Sequence, residues 1–561
     1  MKTLTSLMVS LLLFFSSHLF AQDFGQLLFN TDYDYLYNNS PVRYIEMLDY
    51  NNDGNLDPVV FIRGKLYYRP DTTWLALEPF GQTTSSRGLQ YCNGGPLDGK
   101  LLLLSSGGFS VVDPSTWQFN TFQPGTSNLQ SFAYTSDGTI YAFGNDYNIF
   151  KSTDQGLTFD QHIRVGDGDP NINIGSVSGS AGLPIKISEN GQYLSIVGGF
   201  AEASANGIDD IIYLYHSPDF GATWQGQILG IDGVYGQVSN RNYAPFFENF
   251  SQMSYEVDND GKTHVVINGY GKGVLEGSTD TTDVFPVLYW NSNYDKWTAV
   301  TEPSNERPDD GHGNVVSLLR PGNGIGNAYP TISITPEGNG MMILWQSIEY
   351  TSGFGSPFNI YPGDNSGNSY PVYYTDINYV LGYDAGPNFG IEWLHGIWLY
   401  LPFDNSRTEQ YPVLSPFFES TGVPFIYEGF YIYQYDAIPG VSLFNQNSPS
   451  VETAWYYNSF LYLGTSVDDD LISDLDFYLA QNYPNPFNPS TKIRWQSPVG
   501  SHQTIKVFDV LGREVATLVD EYRNAGSYEV EFDAAGLSSG IYFYTLKSGS
   551  FIKTLKMSVL K

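Results

Sequence analysis

The densest grouping of hard-cation ligands in this 561-residue chain is Asp49-Tyr50-Asn51-Asn52-Asp53-Gly54-Asn55-Leu56-Asp57. Oxygen-bearing side chains stand at positions 1, 3, 5 and 9 of that stretch, and glycine at position 6 permits the sharp turn that converges them. The backbone carbonyl of Asn55 can fill position 7, so the segment has the donor set a hard divalent ion requires. The spacing predicts a structural Ca²⁺ held by Asp49, Asn51, Asp53, Asn55 and Asp57; the competing reading is an Asx-rich turn without metal. Glu256, Asp258, Asp260 and His264 repeat the spacing only loosely, and there a plain hairpin is expected.

No catalytic constellation stands out. His162, His216, His264, His312 and His395 lack metal-ligand spacing, and neither a Gly-x-Ser-x-Gly nor a His-Glu-x-x-His segment occurs. His312, between Gly311 and Gly313, reads as a solvated loop histidine. Glycoside hydrolysis needs two opposed carboxylates, and among 59 acidic residues some pair always satisfies a spacing rule, so the sequence alone selects none.

The elements that must position these residues are strands. The chain holds 43 Tyr, 36 Phe and 58 Gly, with few runs of helical period. A recurring unit joins a strand to an aromatic-ended strand through a polar turn: Tyr134 to Ala142, Ile187 to Ser195, Val257 to Val266 and Ile334 to Met342. In each, Asp-Gly, Asn-Gly or their neighbours supply the positive φ of a tight hairpin. Copies spaced by tens of residues suit the blades of an all-β propeller; six or seven blades are expected over residues 22–465. The stretch from Met341 to Asn458 fits the period poorly.

Two segments share the pattern Ser-x-Asp-x-Gly-x-Thr-aromatic: Ser152, Asp154, Gly156, Thr158, Phe159 and Ser217, Asp219, Gly221, Thr223, Trp224. They resemble the Asp-box (BNR repeat) of sialidase-like β-propellers. Within such a turn the aspartate accepts backbone donors, glycine permits the bend, and the aromatic plugs the space between strands. The resemblance implies a structural role. It also invites a check for sialidase chemistry, but the family's Phe-Arg-Ile-Pro-type motif is missing near the start of the body; the nearest stretch is Phe61-Ile62-Arg63-Gly64. Nothing in the sequence groups three arginines. The Asp49–Asp57 loop, flanked by the strand-like Tyr44–Leu48 and Val59–Ile62, resembles the calcium loops of FG-GAP propeller repeats more than an EF-hand, whose position-12 glutamate is here Val60. It is a single copy.

Both chain ends carry addresses. Lys2, the apolar run Leu11–Phe15 and the junction Ala21-Gln22 have the layout of a signal peptide over residues 1–21. That run is too short to span a bilayer. Residues 478–561 carry Leu479-Ala480-Gln481-Asn482-Tyr483-Pro484-Asn485-Pro486-Phe487-Asn488-Pro489, then Val507-Phe508-Asp509-Val510-Leu511-Gly512-Arg513-Glu514-Val515, Ser539-Gly540-Ile541-Tyr542-Phe543-Tyr544 and Lys556-Met557. This series resembles the type A C-terminal sorting domain of the type IX secretion system, which exports proteins across the outer membrane in the Bacteroidetes. It implies the secretion machinery as a partner and a secreted or outer-membrane-surface location. By its own pattern the tail reads as a small Ig-like antiparallel sandwich, with a proline-stiffened lead-in over 483–490. The acidic stretch 466–477 reads as a solvated linker.

Formal charge is −33, and the tail carries nine Lys and Arg against seven Asp and Glu, so the acidity lies in the body. Such a body repels phosphate backbones and anionic lipid, which excludes nucleic acid as an expected partner. The single cysteine, Cys92, leaves no internal disulfide. Three functions fit these features: a surface binding or scaffolding protein, a glycan-active hydrolase on a propeller, or a structural adhesin. For the first, an extracellular glycan or protein is the expected ligand.

Overall fold

A computed structural model describes residues 26–31, 45–301, 328–463 and 478–559, apart from loops within those spans. The expected signal peptide, the linker 466–477, Asp53, Asn55 and His312 lie outside the described residues. The chain divides into two compact units, residues 1–464 and 465–561.

The all-β expectation holds: the described residues form antiparallel strands and one short 3₁₀ turn at Gly95–Leu97. In the first unit the described strands make eight sheets, seven of them built around four strands and one a two-stranded hairpin. Sheet 1 comprises Ile45–Leu48, Asp57–Ile62, Lys65–Tyr68 and Leu75–Leu77. Sheet 2 runs from Ser86–Tyr91 to Gln118–Phe122, and sheet 3 from Ser131–Tyr134 to Asp160–Arg164. Sheet 4 is centred on the long hairpin Leu194–Ser204 and Gly207–Ser217, and sheet 5 on Thr263–Val274. Sheet 6 holds Ala328–Ile334, Gly340–Ile348, Thr375–Asp384 and Ile391–Leu394. Its second and third strands are separated by a chain excursion bearing the small hairpin Phe358–Ile360 and Tyr370–Val372, which is why the period fails there.

Sheet 7 is assembled from both ends of the unit. Thr408–Leu414, Ile426–Asp436 and Thr453–Leu463 are completed by Gln26–Thr31, which pairs antiparallel with Thr453–Leu463. A β-strand left at an edge exposes unpaired backbone groups, and the N-terminal strand occupies that edge here.

Seven apolar cores connect these sheets in order, each shared by two neighbours. Ala133, Tyr141 and Phe143 of sheet 3 pack with Leu194, Ile196 and Tyr213 of sheet 4, for example. Met342 and Leu344 of sheet 6 meet Leu414 and Tyr431 of sheet 7. The seventh core returns to the start, placing Ile432, Trp455 and Leu28 of sheet 7 against Ile45, Met47 and Val60 of sheet 1. The sheets therefore close into a ring.

The second unit packs two sheets on one core. One contains Tyr478–Leu479, Ser490–Ser497 and Gly526–Asp533, the other Ser501–Phe508, Glu514–Arg523, Gly540–Ser548 and Phe551–Val559. Ile493, Trp495 and Phe532 from the first meet Ile505, Tyr544 and Met557 from the second. Part of the proline-rich lead-in is itself structured: Phe487 bridges Val559, and Ser490 begins a strand.

Candidate functional site

The turns that join the first and second strands of the sheets converge at one end of the ring. Four share a bonding scheme: the N–H of Thr135, Ser188, Asp258 and Thr335 reaches the carbonyl of Thr139, Tyr193, Lys262 and Gly340, at 2.9–3.0 Å. Three residues into each turn stands a glycine, Gly138, Gly191, Gly261 or Gly338, with φ of 92°, 73°, 82° and 70°. Only glycine adopts that backbone without strain, so the Asp-Gly and Asn-Gly signals mark this end of the ring.

Adjacent turns are also bonded to one another. The Tyr134 hydroxyl donates to the Gly94 carbonyl at 2.7 Å, joining sheets 2 and 3. The Ser136 N–H reaches the Gly191 carbonyl at 3.1 Å, and the Asn259 N–H reaches Pro336 at 2.8 Å. Between sheets 4 and 5, the Asn190 N–H donates to Asn259 Oδ1 at 2.8 Å and the Asn190 amide donates to the Asn259 carbonyl at 3.1 Å. The Phe418 N–H reaches the Ile334 carbonyl at 2.9 Å and ties sheet 6 to sheet 7. The result is a hydrogen-bonded collar that runs from sheet 2 to sheet 7.

Inside the collar lies a cavity of about 450 Å³, within the size range of small-molecule sites. Glu46 and Asp49 line it from sheet 1, Tyr91 from sheet 2, Tyr134 from sheet 3 and Glu189 from sheet 4. Phe417, beside sheet 7, completes a lining drawn from sheets 1 to 4 and 7, and among the described residues no Lys, Arg or His belongs to it. The Asn259 amide donates to Glu189 Oε2 at 2.9 Å, so the collar fixes that carboxylate. Burial pushes the phenols of Tyr50, Tyr91 and Tyr134 above their ordinary value, so all three are neutral at physiological pH. The lining offers carboxylate acceptors and aromatic surface. Among the described residues it lacks the cationic groups that would hold a sulfate, phosphate or sugar carboxylate.

The candidate calcium loop stands at this mouth, with Asp49 and Tyr50 in the cavity lining. Asp57 begins a strand and pairs in register with Leu48. Its carboxylate accepts from the Asn51 amide at 3.2 Å and lies 3.6 Å from an Arg69 guanidinium nitrogen. Arg69 thus already supplies a positive charge beside Asp57. Among the described residues no three His, Cys, Asp or Glu side chains are grouped to hold a metal.

The two Ser-x-Asp-x-Gly-x-Thr-aromatic segments lie between the third and fourth strands of sheets 3 and 4 and make matching bonds. Gly156 N–H reaches Ser152 Oγ and Gly221 N–H reaches Ser217 Oγ, both at 2.9 Å. The N–H and hydroxyl of Thr158 donate to Asp154 at 2.9 and 2.6 Å, and those of Thr223 to Asp219 at 2.7 and 2.7 Å. The aromatics pack between sheets as well as between strands. Phe159 stacks on Phe109 of sheet 2, and Trp224 meets Tyr141 of sheet 3 edge-on while stacking on Tyr215 of its own sheet. These residues therefore couple each sheet to the one before it.

The hairpin expected to be plain at Glu256–His264 is more elaborate. His264 contacts Tyr289 Oη through Nδ1 at 2.7 Å and Asp258 Oδ2 through Nε2 at 3.3 Å, all three being buried. Asp258 also accepts the N–H groups of Asp260 and Lys262, and a Cβ at Gly338 would come within 2.1 Å of its Oδ2. The cluster pins the turn of sheet 5 against that of sheet 6. Glu256 pairs with Lys186 of sheet 4. Sequence reasoning missed this pair and the mouth residues Glu46, Tyr91, Tyr134 and Glu189. Of these, Tyr134 and Glu189 had a local signal, each belonging to a recurring hairpin.

Residues 481–560 match the family model described as the secretion system C-terminal sorting domain. The tail therefore marks the chain as a protein exported by the type IX secretion system to the cell surface or beyond. No curated protein matches the chain. Among solved structures, a chain in the S. cerevisiae structure of Dbp5 bound to Nup159 and Gle1 is similar at 12% identity and a TM-score of 0.25, over 45% of this chain and 60% of that one. This chain thus spans less than two thirds of that structure's length. PorZ, an essential surface component of the type IX system of Porphyromonas gingivalis, is similar at 9% identity and a TM-score of 0.14, over 90% and 86%. YCF48 from Cyanidioschyzon merolae gives 9%, a TM-score of 0.28, and coverage of 57% and 96%. No helix among the described residues is long and apolar enough to cross a membrane.

Proposed function

We propose that this protein is a surface-delivered binding protein: a seven-bladed β-propeller that presents the collar mouth as its binding site, followed by an Ig-like sorting sandwich. The observation that carries this reading is the mouth itself, a cavity of about 450 Å³ lined from sheets 1 to 4 and 7 by acceptors and aromatics. Its carboxylate Glu189 is held by the collar, and burial pushes the phenols of Tyr91 and Tyr134 above their ordinary value. A site of that kind binds without needing to react. The described part of the lining holds no cationic side chain, which argues against sialidase-type recognition of a sugar carboxylate.

In this reading the Asp-box-like turns of sheets 3 and 4 are structural couplings, and Asp49, Asn51, Asp53 and the Asn55 carbonyl hold a Ca²⁺ at the lip, sharing Asp57 with Arg69. Such an ion would order the turn and supply no chemistry. A second reading, hydrolysis of a neutral glycan, draws on Glu46, Asp49 and Glu189 lining one cavity from different sheets, since glycosidases oppose two carboxylates across the bond they cleave.

Delivery and binding are testable apart. Deleting residues 478–561 in a host with the type IX system should leave the protein in the periplasm; undiminished export would refute the tail's role. A glycan-array and glycosidase screen of residues 22–465 then separates binding from hydrolysis, because turnover of any glycan would replace the first reading with the second.

A further inference from the structure

We infer that the collar mouth selects organic cations, namely alkylammonium or guanidinium groups such as those of polyamines and of lysine and arginine side chains. The inference rests on the reading of the mouth as the binding site and names the ligand chemistry that site accepts.

The cavity has a ligand's dimensions and a lining of one charge sign. Glu46 of sheet 1 and Glu189 of sheet 4 contribute carboxylates to it, and among the described residues no basic side chain does. Sheets 1 and 4 are three places apart in a ring of seven, so the carboxylates approach the cavity from well-separated parts of the ring. The inner strand of sheet 4 does carry a lysine, but Lys186 is buried against Glu256 and its charge is matched there. Glu189 is held in place before any ligand arrives, by the Asn259 amide and the paired Asn190–Asn259 bonds behind it. Preorganised acceptors lose little freedom on binding.

The aromatic lining favours the same ligand. Tyr91 and Tyr134 remain neutral, and a neutral phenol ring presents a negative face to a cation. The hydroxyl of Tyr134 is committed to the Gly94 carbonyl and the Leu97 N–H, and that of Tyr50 accepts the Arg69 N–H. These bonds anchor both rings. Farther out, the strongly acidic body draws cations toward the mouth and repels anions.

The test uses mature chain 22–561 and calorimetric titration with two probes: spermidine, and a Gly/Ser peptide carrying one lysine. Binding of either is expected to weaken as salt rises, and Glu189→Gln and Glu46→Gln should each weaken it by about tenfold. Asp160→Asn, an exposed carboxylate on the outer strand of sheet 3, should leave the affinity unchanged, with circular dichroism showing that all variants fold. Binding by spermidine alone or by the peptide as well tells a free polyamine from a protein side chain as the source of the cation. Equal effects of Asp160→Asn and Glu189→Gln would mean diffuse attraction to an acidic surface and would overturn the inference. A neutral oligosaccharide that binds and is lost on Glu189→Gln, with no response to spermidine, would retain the mouth as a site and reject cation selection. Were neither probe nor sugar sensitive to the mouth variants, both readings would fall.

Discussion

Lys186 Nζ and Glu256 Oε1 lie 2.5 Å apart, with the two side chains only 4% and 3% exposed. The pair joins the inner strands of sheets 4 and 5, Lys186–Ile187 and Met253–Val257. Desolvating two charges is costly, and the pair tolerates burial because each ion neutralises the other. Lys186→Met should therefore cost about 3–5 kcal/mol, since it strands a carboxylate in the interior. Lys186→Met combined with Glu256→Met should recover much of the loss. Denaturant midpoints of the three variants decide the matter: a double variant no better than the single one would show that the pair is not the coupled unit described.

A second expectation concerns acid. The bonds that Asp154 accepts from Thr158 hold its carboxyl below the ordinary value of 3.8. For Asp219, burial acts to raise the value, but the bonds from Thr223 and Ser217 outweigh it and the net shift is downward. A carboxyl depressed in the folded state adds stability that is complete above the unfolded value and is lost as pH falls through the folded one. Asp154→Asn with Asp219→Asn should destabilise the protein at pH 7 by about 1–3 kcal/mol. That gap should narrow as the pH drops below about 4. Thermal melting across pH 2–7 measures it; parallel curves for wild type and variant would remove the two aspartates from the acid response.

Closure of the ring depends on Gln26–Thr31. Leu28 is buried in the core shared by sheets 7 and 1, and the ring of Phe29 stacks on Tyr67 at 4.3 Å. Leu28→Ala should cost about 2–5 kcal/mol, as at a packed core site. Deleting 26–31 should lower the first unit's melting temperature further, by baring the edge of Thr453–Leu463. An unaltered melt after the deletion would mean that the ring does not need its N-terminal strand.

Calcium gives the fourth expectation. Millimolar Ca²⁺ should raise stability by about 1 kcal/mol, and Asp53→Ala should abolish the rise. Arg69→Met should enlarge the calcium response, because Asp57 then loses the guanidinium 3.6 Å away. A wild-type melting curve indifferent to chelation, together with no calorimetric signal, would make the segment a turn only.

How far the sequence carries depends on where each residue finds its partner. The bonds of Ser152, Asp154 and Thr158, like the glycine turns at Gly138, Gly191, Gly261 and Gly338, are completed within a few residues, so local chemistry dictates them. The same holds for strand alternation in the tail and for its sorting motifs. His264 shows the opposite case: its nearest acid, Asp258, is local, but Tyr289 lies 25 residues on and was invisible to a reading by spacing.

The sequence by itself determined the strand character, the turns that repeat, the acidic charge and the export address, because each is a property of a short segment or of composition. Tertiary structure alone decided the rest. Gln26–Thr31 pairs with Thr453–Leu463, Asn190 meets Asn259 across 69 positions and Lys186 meets Glu256 across 70. Contacts at such separations leave no periodic trace in either partner; they arise when burial of apolar sheet faces closes the ring and brings Glu46, Asp49 and Glu189 around one cavity.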